Sequence, residues 1–228
     1  MLGLTLSEPV WLLFLGGLGV GTWRAFHQRL EWRALLPVLL WFLLPFAYVL
    51  LRRPPMYDGY RHFLFILPPV FVLIAIALQA LFERLRRPWA RGLLLGSVLL
   101  PGLIALVSLH PYQYTYYNAF TGGTGGAFRQ YETDYWLTCY RELMGELNQS
   151  APAGSTLFVH RQPSIAASYA APGLIIRQFD PDDDQTFPGS LLLLTTRADT
   201  DLLNYPEAPE LLSVGRDGAV FCVVRRVP

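Results

Sequence analysis

The sequence contains no lysine, and it has few charged residues of any kind. All 18 basic residues are arginines, charged residues make up 15% of the chain, and the net charge is +1. A chain without a sustained basic face is not expected to bind nucleic acid as its main partner. The hydrophobic content of 53% is higher than that of an ordinary soluble domain. The composition therefore indicates a membrane protein with a soluble part.

The sequence is also poor in the patterns that bind metals, nucleotides or calcium. Its four histidines and two cysteines show no spacing typical of a metal site, so we expect neither a metal nor a cofactor. Residues 121–126 are rich in glycine but lack the Gly-Lys-Ser/Thr ending of a phosphate loop, which predicts a flexible connection. Asp180, Asp182 and Asp184 alternate as in a calcium loop, but the required glycine is missing, so we predict a solvated turn.

Four apolar segments are predicted to be transmembrane helices, at about residues 9–26, 35–51, 63–82 and 92–109. Each has about the 17 to 20 residues that a bilayer core requires. Pro37 and Pro45 are expected to break the second segment, and such helices need neighbours that satisfy the freed backbone groups. Gly17 and Gly21 have the spacing of a close helix contact, although chance explains this pair about equally well in so glycine-rich a segment.

Arginines at the ends of these segments predict their orientation. The connections after the first and third segments carry seven arginines, which the positive-inside rule assigns to the cytoplasm. The second connection and everything after residue 109 then lie outside. Arg52, Arg53 and Arg61 violate the rule there, which makes them candidates for binding an anion at the outer face. The alternative is that Arg61 and His62 only anchor the helix end.

The rest of the sequence alternates between helix and strand patterns. An amphipathic helix ending near residue 147 is followed by strands at 156–160, 174–178 and 191–195, a short helix at 164–169, a helical turn near 201 and a hairpin at 211–227. This order predicts a small α/β domain. Cys139 and Cys222 both lie on the predicted outer side, where a disulfide is permitted, but their spacing alone leaves the pairing open.

The predicted fold is an α-helical multi-pass membrane protein of about four transmembrane helices, with a C-terminal extracytoplasmic small α/β domain. Residues 1–109 form the transmembrane region, 110–136 a membrane-proximal segment at the outer interface, and 137–228 the α/β domain. The expected location is the plasma or inner membrane. Tyrosines in the interface segment are expected to serve mainly as membrane anchors.

Three motifs, in this order, resemble the C-terminal half of polytopic glycosyltransferases of the GT-C superfamily. The motifs are Tyr57-Asp58-Gly59 with Arg61-His62-Phe63 and Pro68-Pro69; His110-Pro111-Tyr112-Gln113 with Tyr116-Tyr117-Asn118; and Glu132-Thr133-Asp134-Tyr135-Trp136. The sequence is most similar to bacterial relatives of protein O-mannosyltransferases and of lipid A aminoarabinose transferases. The similarity covers most of residues 9–141 and fades in the terminal domain.

The resemblance implies transfer of a sugar from a polyprenyl-phosphate carrier to an unidentified protein, lipid or glycan acceptor on the outer face. Such a transfer needs a carboxylate to deprotonate the acceptor and cations to stabilise the departing lipid phosphate. The family's catalytic acid lies in a loop that would precede residue 1, so the chain is expected to be a C-terminal part that lacks it. Asp58, Glu132 and Asp134 are the candidate substitutes within this sequence.

The resemblance also implies a set of substrate-binding residues beside the lipid bilayer. They are Arg52, Arg53, Tyr57, Arg61, His62, His110, Gln113 and Trp136. An alternative function is a non-catalytic, membrane-anchored binding or assembly module, in which the arginines only anchor headgroups. Transport is a weaker interpretation because no ionisable residue lies deep within a predicted span.

Overall fold

A computed structural model describes residues 2–55, 59 and 61–228. The chain forms two compact units, Met1–Ala105 and Leu106–Pro228. Each unit has its own hydrophobic core. The predicted interface segment, residues 110–136, belongs to the second unit together with the α/β domain.

The amino-terminal half of the chain is helical. Its helices are α1 (Leu2–Thr5), α2 (Glu8–Phe26), α3 (Trp32–Arg52), a 3₁₀ stretch (Arg61–Ile66), α4 (Leu67–Arg84) and α5 (Pro88–Ser108). All four predicted apolar segments are therefore helices. The expected break in the second segment is wrong, because α3 continues through Pro37 and Pro45. A proline removes one backbone hydrogen bond, and the remaining hydrogen bonds still hold the helix.

Three of the described helices are long and apolar enough to cross a membrane, judged by length and composition. They are Trp32–Arg52, Arg61–Arg84 and Pro88–Ser108. The sequence predicts α2 as a fourth span, but α2 is not among these three. Its four glycines and its charged Glu8 and Arg24 lower its mean hydropathy. Three such helices are consistent with a membrane protein.

Close packing of α2 against α4 depends on one glycine. A Cβ atom at Gly17 would overlap the carbonyl oxygen of Leu73 in α4. Gly21 lies against the Leu35 side chain of α3, whereas a Cβ at Gly19 would meet nothing within 4 Å. The spacing of Gly17 and Gly21 thus marks a helix-packing surface, which decides between the two interpretations of that pair.

The second unit contains a five-stranded mixed sheet. Its strands are β1 (Thr156–Val159), β2 (Ile175–Gln178), β3 (Leu191–Thr195), β4 (Glu210–Arg216) and β5 (Ala219–Arg226). The order across the sheet is β2-β1-β3-β5-β4. β1 is parallel to β2 and β3, and β5 is antiparallel to β3 and β4. The predicted strands and the closing hairpin are therefore confirmed.

Both faces of the sheet are covered. α7 (Cys139–Ser150) and α8 (Pro163–Tyr169) pack on one face, against alternate residues of β1, β3 and β5. Phe179 and Tyr205 cover the other face. Every residue of β1 and β3 is buried, as expected for parallel strands enclosed on both faces. The predicted α7 and α8 are confirmed, and so is the helical turn near residue 201, which is α9 (Thr200–Leu203).

The glycine-rich segment is not the flexible connection that the sequence predicts. It forms the short helix α6 (Gly123–Ala127), which packs against the turn between β4 and β5. The amide of Thr124 donates to Oδ2 of Asp217 at 3.0 Å. A Cβ atom at Gly125 would overlap the carbonyl oxygen of Asp217. The glycines therefore allow two backbone segments to approach closely, a property that loop composition alone does not reveal.

A disulfide joins Cys139 at the start of α7 to Cys222 in β5, so the pairing that the sequence leaves open is present. The aspartate-rich segment 180–184 is exposed, as predicted for a solvated turn. Within that turn, Oδ1 of Asp180 accepts the amide hydrogen of Asp182 at 3.0 Å.

Candidate functional site

The predicted phosphate-binding cations lie at one end of a helix pair in the first unit. α3 ends at Arg52, the 3₁₀ stretch before α4 starts at Arg61, and α3 packs against both elements. Only eight residues connect Arg52 to Arg61, so both must lie at the same end of these helices. Arg52, Arg53 and His62 are exposed, and Arg61 is half-buried. Tyr57 and Asp58 lie outside the described residues, and their roles stay predictions.

His110 and Gln113 lie together in the second unit. The Gln113 side-chain nitrogen lies 2.9 Å from Nδ1 of His110 and donates to the carbonyl of Leu106 at 3.3 Å. Arg216 donates to the carbonyl oxygen of His110 at 3.3 Å. These contacts hold the turn that follows α5. Gln113 therefore has a structural role, and its role in substrate binding stays a prediction.

Two of the tyrosines expected to be membrane anchors are buried in the α/β unit instead. Tyr112 is fully buried and donates its hydroxyl to Glu142 at 3.0 Å. Tyr117 is buried and donates to the carbonyl of Glu132 at 2.8 Å. Burial raises the pKa of both hydroxyls. The anchor prediction is wrong for this pair, because their rings pack inside the protein and their hydroxyls meet protein acceptors.

The carboxylate of Asp134 is buried and holds the start of α7. It accepts the amide hydrogens of Thr138 at 3.1 Å and Cys139 at 2.9 Å, and it accepts the hydroxyl of Tyr114. One of its oxygens also lies within 4.8 Å of the sulfurs of Cys139 and Cys222. Both sulfurs are committed to the disulfide, which leaves no thiolate for a metal at this position.

Glu132 and Trp136 occupy different environments. Glu132 pairs with Arg197 at 2.5 Å, and the side chains of both residues are partly exposed. Trp136 is 57% exposed, and its ring centroid lies 5.9 Å from that of Tyr135. The structure thus ties Glu132 to the segment that follows β3, whereas more than half of the Trp136 side chain is exposed.

A polar cleft that sequence reasoning missed lies at the carboxyl edge of the parallel strands. The chain leaves β1 through α8 and enters β2, which neighbours β1 on one side in the sheet. β3 neighbours β1 on the other side, so the strand order reverses direction between β1 and β3. Open α/β sheets bind ligands at this kind of switch point. The cleft measures about 490 Å³ and is lined by Tyr135, Leu137, His160, Arg161, Gln162, Pro163, Gln178 and Arg197.

The groups in this cleft offer hydrogen bonds and positive charge. Nδ1 of His160 is buried and has no hydrogen-bond partner among the described residues. Burial first, and the neighbouring Arg161 second, lower the pKa of His160. The Gln178 amide nitrogen donates to the carbonyls of His160 and Phe179 at 2.9 and 2.8 Å. The sequence feature that could have indicated this cleft is the polar run His160-Arg161-Gln162 directly after a buried strand. It points to a ligand site only when the strand order is known.

A second cleft, of about 250 Å³, is lined by both residues of the Arg197–Glu132 pair. Its other arginine, Arg129, is held by Asp199 and Asp201, both at 2.7 Å. The hydrogen bond to Asp201 is the main reason that the pKa of Arg129 is raised. With its charge already paired, this cleft is less suited to an anion than the first.

No protein family, curated protein or solved structure matches the chain. The resemblance to GT-C glycosyltransferases therefore rests on the three sequence motifs alone.

Proposed function

We propose that the chain is the C-terminal part of a membrane glycosyltransferase, which moves a sugar from a polyprenyl-phosphate carrier to an acceptor on the outer face. The observation that carries the proposal is the grouping of Arg52, Arg53, Arg61 and His62 at one end of two apolar helices. A lipid phosphate lies at the end of membrane helices, where guanidinium groups can bind it with paired hydrogen bonds.

In this proposal neither Asp134 nor Glu132 is the catalytic base. Asp134 already accepts three hydrogen bonds in a buried position, and Glu132 is paired with Arg197. A general base must be able to reach the acceptor hydroxyl and take up its proton. Because both carboxylates are engaged in this way, we assign other roles to the two units. The first unit binds the donor lipid, and the second unit contacts the acceptor.

The outer position of the second unit is part of this proposal. The disulfide Cys139–Cys222 supports it, because such bonds form and persist outside the reducing cytoplasm. The plasma or inner membrane is the corresponding location.

Donor binding tests the proposal. The full chain in lipid nanodiscs is titrated with a fluorescent polyprenyl-phosphate sugar, and Arg61→Ala is compared with Arg84→Ala. Arg84 is the last residue of α4 and therefore an arginine at the opposite end of the same helical stretch. We expect Arg61→Ala to weaken binding about tenfold, the loss of a charged hydrogen bond, and Arg84→Ala to leave it unchanged.

Equal losses in both variants, or no saturable binding by the unaltered chain, would overturn the donor assignment. The second candidate, a membrane-anchored binding or assembly module, would then be favoured. This second candidate is supported by the structural contacts of Glu132 and Asp134, the two described carboxylates that were candidates for catalysis.

A further inference from the structure

The cleft at the carboxyl edge of β1 and β3 has the position and the size of a small-molecule site. Its volume of about 490 Å³ falls in the range of known ligand pockets. It is built entirely from the second unit. Its lining residues lie at or after the carboxyl ends of β1, β2 and β3, together with Tyr135 and Leu137, which precede α7. Gln162, at the start of α8, has a φ of 47°, a left-handed conformation that is costly for a residue with a side chain. Such conformations gather at ligand sites, where the surrounding fold holds them.

The charge of this cleft is positive. Arg161 and Arg197 line it, and no carboxylate is among the described residues that do so. Glu132 offsets the charge of Arg197 through their ion pair. The Arg161 guanidinium has no ion-pair or hydrogen-bond partner in the part of the chain that the structure describes. A half-buried guanidinium with free donors is suited to a carboxylate or phosphate group.

The remaining lining residues favour a ligand that carries hydroxyl groups. Gln178 is held in place by its hydrogen bonds to two carbonyl groups, and Gln162 also lines the cleft. The imidazole of His160 also lines the cleft. Tyr135 adds an aromatic ring to the lining, and few other lining residues are apolar. Amide, imidazole and phenol groups around one aromatic face match the alternation of hydroxyls and C–H faces in a sugar.

We propose that this cleft binds an anionic sugar, either a sugar phosphate or a uronic acid, with Arg161 contacting the anionic group. The anion is the shared chemistry of the two ligand types, and the sugar ring contacts Tyr135 and Gln178. This site shares no residue with the donor-binding group in the first unit. Ligand binding here does not depend on glycosyl transfer, so either proposal can fail alone.

The test is a titration of the full chain in nanodiscs with glucuronate, with glucose 6-phosphate and with neutral glucose, followed by calorimetry. Arg161→Ala is compared with Arg177→Ala, which removes the same charge from an exposed position on β2 outside the cleft. We expect saturable binding of at least one anionic sugar and none of glucose. Arg161→Ala should weaken that binding about tenfold, and Arg177→Ala should change it less than about twofold.

A thermal unfolding curve of each variant shows whether the domain is intact. The Arg161 side chain makes no described hydrogen bond or ion pair, so its removal should leave the unfolding temperature unchanged. Binding of glucose as strong as that of the anionic sugars would overturn the proposal. So would the absence of saturable binding of either anionic sugar, or an equal loss in the two arginine variants.

Discussion

The carboxylate of Asp134 caps the helix that begins at Cys139: its Oδ2 atom accepts the Cys139 amide hydrogen at 2.9 Å. Its Oδ1 atom accepts the amide hydrogen of Thr138 at 3.1 Å, and the Tyr114 hydroxyl donates to the same carboxylate. Desolvation first, and Asp134 second, raise the pKa of Tyr114. One buried side chain therefore satisfies two amide groups at the start of α7 and the hydroxyl of Tyr114.

Replacing Asp134 with alanine should destabilise the α/β unit by about 2 kcal/mol, because the helix loses its cap and buried donors lose their acceptor. Asp134→Asn should cost less, since the amide keeps one acceptor oxygen. Thermal unfolding followed by near-ultraviolet circular dichroism measures both effects. Asp183→Asn, at an exposed turn position, is the matched control. Normal unfolding of Asp134→Asn combined with complete loss of sugar transfer would instead make Asp134 the base.

Gly17→Ala should weaken the first unit, because the added methyl group would overlap the Leu73 carbonyl and push α2 away from α4. We expect a loss of about 1 to 3 kcal/mol, as is typical of overpacking. Gly19→Ala is the control in the same helix, since its methyl group meets nothing within 4 Å. Unfolding in a detergent series compares the two variants. An equal response would show that the close contact at Gly17 does not hold the helices together.

Removing the disulfide with the double variant Cys139→Ala/Cys222→Ala should destabilise the second unit by about 4 kcal/mol. The bond closes a loop with a sequence separation of 83 residues, and long loops gain most from closure in the chain-entropy account. Chemical unfolding of the oxidised chain and the double variant measures the difference. Unaltered protein that reacts with a thiol reagent before reduction would contradict the pairing.

His160 should make the folded chain less stable as the pH falls below about 6.5, the ordinary histidine pKa. Burial and then Arg161 lower its pKa in the folded state, while Asp180 opposes them. The unfolded chain therefore takes up this proton at a higher pH than the folded chain, so acidification through that range favours unfolding. The unfolding temperature between about pH 7 and pH 5.5 should fall less steeply in His160→Gln than in the unaltered chain.

The control for this pH dependence is His27→Gln, which removes an exposed histidine of the first unit. The unfolding temperature of that variant should fall with decreasing pH as steeply as that of the unaltered chain. If His160→Gln follows the same curve as the unaltered chain, then His160 is not the group that links protonation to stability in this range.

The proposed outer location of the second unit predicts a labelling pattern. In intact cells, a maleimide that cannot cross membranes should react with Asp183→Cys, which lies in the exposed turn before β3. Arg86→Cys, between α4 and α5, should react only after lysis, because that connection is predicted to be cytoplasmic. The native cysteines are joined and do not compete. The reverse pattern would invert the topology.

Local patterns predicted most of the elements. Leu191–Thr195 is predicted to the residue, because a run of buried apolar residues between turns permits few alternatives. Local patterns did not predict the burial of Tyr112 or the packing of the glycine-rich segment. Tyr112 meets Glu142, 30 residues away, and α6 packs on the distant Asp217. A local sequence pattern does not indicate contacts with residues so distant in the chain. The prediction was therefore wrong for the tyrosine and for the glycine-rich segment.

The candidate site shows the same limit. The sequence identified Asp134 and Glu132 as chemically notable, but their capping and ion-pair contacts depend on residues elsewhere in the fold. The cleft beside Arg161 depends on the order of β1 and β3 across the sheet, which strand patterns alone do not specify. The grouping of Arg52 with Arg61 was accessible from the sequence, because a short connection between two helices fixes it.

The position of β5 has a consequence for protein synthesis. It lies between β3 and β4 in the sheet although it follows both in the chain. Until the ribosome has made Ala219–Arg226, β3 exposes an edge of four consecutive leucines. Such an edge is a template for pairing with other chains. Messages truncated before this strand should therefore yield products that aggregate, and cells would need to degrade them quickly.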